Sequence, residues 1–162
     1  ARLDKIDDQE KRLIEYQNIL GEKSKSWDLQ RASVENAYKC YREQIALLKA
    51  SYKSGKVSKD EFLARANEIK QGIENINTYW ADAKTSMDST IADGESYLTA
   101  QSQNKLNKKQ KRQFTTSQNR TKQILKAKDN ANAKTDAEAE QANLELKELM
   151  AYEYEADHQP AA

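Results

Sequence analysis

Ser54-Gly55-Lys56-Val57-Ser58-Lys59-Asp60-Glu61-Phe62 is the stretch that decides the fold. Gly55 suits the left-handed position just past a helix C-terminus, a conformation that strains any residue with a Cβ. Ser58 and Glu61 then stand at the N-cap and N3 positions of a capping box, where each side chain caps the other residue's backbone N–H. Val57 before the cap and Phe62 after it have the spacing of a hydrophobic staple. A helix stop, a short loop and a helix start within nine residues predict two helices that fold back antiparallel.

The flanking sequence supports long helices on both sides. Upstream, Ile6, Leu13, Leu20, Trp27, Val34, Tyr41 and Leu48 recur at strict seven-residue spacing. Their companions Leu3, Glu10, Gln17, Ser24, Arg31, Tyr38, Ile45 and Tyr52 are polar in the middle and apolar at both ends. A seven-residue repeat drifts on a straight α-helix, so a register held this long implies supercoiling with a partner. Gly21 costs about 1 kcal/mol inside a helix, yet the register passes through it. Downstream, Phe62, Ala66, Ile69, Ile73, Ile76, Trp80, Ala83 and Met87 alternate spacings of four and three. Ile91 and Leu98 fall one position off that register, which predicts a local change of winding.

The expected first domain is therefore an elongated antiparallel helical hairpin over residues 1–104, with a helix over about 2–53, a turn at 54–58 and a helix over about 59–103. Folding it about residues 56–57 sets Leu48 near Ala66, Tyr41 near Ile73, Val34 near Trp80 and Trp27 near Met87. A two-helix rod buries one stripe per helix, so further partners are expected, either copies of the chain or its own 129–157 segment.

Composition agrees with an all-α, coiled-coil class. Of 162 residues, 33% are charged and 37% hydrophobic, many of the latter Ala, too few large apolar groups for a compact globule of this length. Four Gly and one Pro favour uninterrupted helices over turn-rich β structure. No apolar run approaches the roughly 20 residues needed to span a bilayer, and no signal peptide is visible in the sequence.

The second half is polar. Residues 105–128 carry nine basic groups and no acid, while 129–157 carry nine acids against Lys134 and Lys147. Leu106, Phe114, Ile124 and Leu125 are isolated, so 105–134 is expected to be a basic linker or solvated helix. Helical potential returns over 135–157 as a short acidic amphipathic helix whose acids could meet the basic block, and 158–162 is expected to be a tail.

Lys105, Lys108, Lys109, Lys111, Arg112, Arg120 and Lys122, with Lys126 and Lys128, form the sharpest functional candidate. They could neutralise phosphates, with Phe114 stacking on a base, or contact an acidic protein partner. Cys40, beside the seam, reads as a buried or half-buried structural thiol with no histidine near it. His158 is the only histidine, and one His with one Cys excludes the usual zinc sets. Phosphate-binding loops, calcium loops and nucleophile elbows are missing from the sequence. An enzyme is not expected, nor a cofactor or metal.

The expected function is that of a structural or interaction protein, a coiled-coil component of a larger repeating assembly with protein partners or self-association. Shape alone suggests bacterial or phage machinery, such as a virion or a secretion apparatus. Cytoplasm or a virus particle is the favoured location. The alternatives are a nucleic-acid-associated protein gripping phosphates through 105–128, or a secreted or periplasmic pilus- or adhesion-associated helical protein.

Overall fold

The computed structural model describes Leu3 and residues 8–158, with side chains as far as Tyr152. The described residues are 92% helical, with no strand, in three long helices packed together. They are α1 (Gln9–Lys53), α2 (Lys59–Ser102) and α3 (Lys108–His158). Two compact units divide them: one drawn from Ala1–Gln30 and Asp82–Asn132, the other from Arg31–Ala81 and Ala133–Ala162.

The second unit contains the turn. Gly55 adopts φ +77°, and its N–H donates to the Tyr52 carbonyl (3.1 Å) while Lys56 N–H donates to Ser51 (2.9 Å), the paired bonds of a Schellman cap. Ser58 Oγ accepts the Glu61 N–H at 3.1 Å. The Glu61 carboxylate turns to Arg65 Nη2 (2.6 Å), so the box is used from the serine side. Phe62 is fully buried, stacked on Tyr52 with ring centroids 4.4 Å apart and met edge-on by Tyr152 at 5.6 Å. Val57 is half-buried.

In this unit the α2 partner number falls as the α1 number rises, from Tyr38 with Asn77 to Tyr52 with Phe62. The α3 partners rise with α1, from Glu35 with Thr135 to Arg42 with Glu145. Val34, Tyr38, Ile45, Leu48, Phe62, Ala66, Ile69, Ile73 and Trp80 are buried, joined by Ala142, Leu146 and Leu149. Tyr41 and Ile76, expected in the seam, are only half-buried. The Tyr41 ring and hydroxyl pass over Gly72, where a Cβ would collide with them.

The first unit packs Leu13, Tyr16, Leu20 and Leu98 into one cluster, and Trp27, Met87 and Ile91 into another. Ile91, Gly94, Leu98 and Gln101 are all buried. Met87 to Ile91 thus adds a second step of four after Ala83 to Met87, and the register shift read at Ile91 and Leu98 is how α2 keeps its face inward. Gly94 makes room for the Tyr16 ring, and Tyr16 lies 5.2 Å from Tyr97 between centroids. Ile6 lies outside the described residues, as does the stretch of the expected first helix before Asp8 other than Leu3.

α3 corrects the reading of the second half. It is one helix of 51 residues, unbroken at 134–135, and it is docked rather than solvated. Thr121, Lys128, Thr135, Ala142 and Leu149 are buried at seven-residue spacing, with Ser117 a further buried position. Its seam is made of small and polar side chains, which bury because α1 supplies bulk and hydrogen bonds. Gln17 Nε2 donates to Ser117 Oγ (3.0 Å), the Tyr16 and Thr121 hydroxyls bond at 2.7 Å, and Thr135 Oγ1 donates to Glu35 (2.7 Å). Three acids of the expected acidic helix find their partners on α1 and α2. Within the second unit Glu138 and Glu145 take Arg42 (3.3 and 2.8 Å), and Asp136 accepts the Trp80 indole N–H at 2.8 Å.

Candidate interaction surface

The basic face of the first unit begins at a cap that the sequence reading passed over. Asn107 Oδ1 accepts the Gln110 N–H at 2.8 Å, and Gln110 Oε1 accepts the Asn107 N–H at 2.9 Å, a reciprocal box starting α3. The signal was present as Asn-Lys-Lys-Gln, hidden by its lack of an apolar run behind it. Lys108, Lys109 and Lys111 follow at once, and the first turn holds no acid. Basic groups there oppose the helix dipole, each at a cost of roughly 0.3–1 kcal/mol. An anion bound at this end would reverse the sign of that term.

Lys105, Lys108, Lys109, Lys111, Arg112, Arg120, Lys122 and Lys126 are all exposed. None forms an ion pair among the described residues. Lys108, Arg112, Asn119 and Lys126 recur at steps of four and seven, which lines them along one outward stripe of α3. Thr115, Thr116, Asn119 and Gln123 lie among them as neutral hydrogen-bonding groups.

Lys128 departs from this face. It is 8% exposed, with its ammonium on Asp88 and, at 3.4 Å, on Asp129. Burial pulls its pKa down, but the two carboxylates outweigh that and hold it above the ordinary lysine value. It is a core residue with a satisfied charge. Phe114 is likewise taken inward, packed against the Leu13, Tyr16, Leu20 and Leu98 cluster, so it is not offered to a base. The surface that remains is cationic and free of stacking aromatics.

An open groove borders this face, lined on α1 by Gly21, Ser24, Lys25 and Asp28 and on α3 by Asn119 and Arg120. Arg120 Nη2 lies 3.0 Å from the point a Cβ on residue 21 would occupy.

The second unit has a different concavity. Tyr41, Leu47, Leu48 and Ile69 line an open groove flanked by Arg65 and Glu68, and Leu47 is 68% exposed. Cys40, expected to be buried or half-buried, is exposed; its position, one turn from Gln44, faces away from the packed side, and Gln44 Nε2 approaches its sulfur at 3.5 Å. The side chain of His158 lies outside the described ones. No group of three or more His, Cys, Asp or Glu among the described residues is arranged to hold a metal ion. No helix among them is long and apolar enough to cross a membrane.

No protein-family model matches the chain, and neither a curated protein nor a solved structure matches it.

Proposed function

We propose that the chain is a non-enzymatic structural and interaction protein, an antiparallel coiled-coil hairpin strapped by a third helix and built into a larger assembly. The observation that carries this reading is the uncovered groove of the second unit. Exposed Leu47 and half-buried Tyr41 stand over buried Leu48 and Ile69 there, a surface suited to the apolar face of another helix. On α1, Ala37, Cys40, Gln44, Leu47 and Ser51 continue the same side without a charge. The test is light scattering on the intact chain with Leu47→Glu as the comparison. A defined oligomer lost in the variant supports the reading; a monomer in both, with no partner recovered from the native source, counts against it.

A second reading is favoured by a separate observation, the eight exposed basic residues of the first unit that lack ion pairs. In this reading they neutralise phosphates of a nucleic acid, and affinity falls steeply with salt. With Phe114 half-buried and packed against the cluster below, contact is to the backbone and independent of sequence. Absence of duplex binding at low salt would remove this reading and leave the first intact.

A further inference from the structure

We propose that the groove between α1 and α3 in the first unit is a phosphate notch, in which Arg120 and Lys25 clamp one phosphodiester of a nucleic-acid duplex. The inference rests on the second reading above and gives it a specific contact point.

Gly21 starts the argument. A glycine inside a long helix costs about 1 kcal/mol against alanine, and something must use the space it leaves. Among the described residues, the side chain within reach of a Cβ at this position is Arg120, with Nη2 at 3.0 Å and Cζ at 3.9 Å. The guanidinium therefore lies against the α1 backbone, in a place that any larger residue would contest. An arginine is ordinarily steered by a carboxylate. Arg120 has no such partner among the described residues and is exposed toward the groove it lines.

The remaining lining suits a tetrahedral anion. Lys25 stands one helical turn beyond Gly21 on α1, and Ser24 and Asn119 add neutral donors from the two sides. Asp28 is the one carboxylate in the lining, and it has a partner of its own. A guanidinium, an ammonium, a hydroxyl and an amide line the groove from its two sides, an arrangement that the tetrahedrally spread acceptors of a phosphate can meet more fully than the planar acceptors of a carboxylate. Lys108, Arg112 and Lys126 along the adjoining stripe meet neighbouring phosphates of the same backbone.

The test measures binding of a labelled DNA duplex to the full chain by fluorescence anisotropy across a range of salt. Arg120→Gln and Lys25→Gln should each weaken binding several-fold at low salt, and the double variant should reduce the slope of log affinity against log salt by about 0.9, the loss of one phosphate contact. Gly21→Ala keeps every charge and favours the helix, yet should weaken binding by displacing Arg120, with circular dichroism unchanged. Lys128→Met should leave the slope as it was. If the wild type binds and the variant lacking both Arg120 and Lys25 keeps its slope, the notch is overturned while the basic face stands. If the wild type does not bind duplex at low salt, the second reading fails and takes the notch with it. Poly-glutamate bound as tightly as duplex, with the same dependence on Arg120, would overturn the phosphate assignment in favour of an acidic protein.

Discussion

The hydroxyl of Tyr38, a side chain with no exposed surface, donates to Oδ1 of Asn77 across 2.7 Å. Asn77 in turn exchanges amide hydrogen bonds with Asn143 at 2.9 and 3.0 Å, so one polar layer ties the three helices of the second unit. A shift of one heptad would leave these groups buried without partners, which is how a single polar layer specifies register. Asn77→Ala should cost about 1–3 kcal/mol, because it strands two polar groups, and Tyr38→Phe only about 1 kcal/mol. Urea denaturation measures both; equal, negligible losses would show that the layer does not hold the register.

The same tyrosine predicts alkaline behaviour. Burial, with the Asp136 charge adding to it, pushes the Tyr38 phenol up to about 12 from its ordinary 10. A group raised on folding contributes stability that is complete below its unfolded value and lost as pH rises through its folded one. Stability should therefore fall between about pH 10 and 12, and Tyr38→Phe should flatten that limb. An unchanged alkaline limb in the variant would assign the loss to other groups.

Acid stability depends on a different contact. Arg42 Nε and Nη2 grip both oxygens of Glu145 at 2.8 and 3.1 Å. That hydrogen bonding, against some burial, holds the Glu145 carboxyl below its ordinary value. The sign is opposite to that of Tyr38: the contribution is present above the unfolded carboxylate value and lost as pH falls through the folded one. Glu145→Gln should cost about 0.5–1 kcal/mol at neutral pH, since the pair is only half-buried, and reduce the acid-side slope. Thermal melts at neutral and acid pH would reveal either effect.

Gly72 should respond to alanine against helix propensity. A Cβ there would run into the Tyr41 ring and hydroxyl, so Gly72→Ala should destabilise although alanine is the better helix former by about 1 kcal/mol. In a Tyr41→Ala background the same change should become stabilising. A double-mutant cycle decides the matter, and identical effects in the two backgrounds would rule out the close approach as the reason for the glycine.

Cys40 is exposed on the single chain, on the α1 side shared with Leu47, so in the proposed assembly it should react slowly with a maleimide, and Leu47→Glu should bring its labelling close to the rate in denaturant. Protection of the thiol in native buffer would mean that its face is covered, by a second copy or by a partner.

Much of α1 and α2 could be read directly. Leu13, Leu20, Trp27 and Leu48 are larger and more apolar than their neighbours, so their period is visible and they are buried as expected. Gly55 and Ser58 act through local backbone geometry, which needs no tertiary information. The register change at Ile91 and Leu98 was legible for the same reason, as a change of spacing among large apolar groups. The basic residues of the candidate surface were visible as a run without acids. Removing Lys128 and Phe114 from it required knowing what packs beneath them.

Residues 9–102 determined their two helices and the turn by themselves, because burying a large apolar side chain stabilises almost any packed partner. Tertiary structure alone decided that α3 is one docked helix. Thr121, Lys128 and Thr135 have the same seven-residue logic, with Ser117 four residues ahead of Thr121, yet a small or polar side chain is worth burying only where a specific neighbour fills the space and takes the hydrogen bond. Tyr16 does this for Thr121, Gln17 for Ser117, Glu35 for Thr135 and Asp88 for Lys128. Each of those partners lies on α1 or α2, far away in the chain, and only the fold brings it within reach.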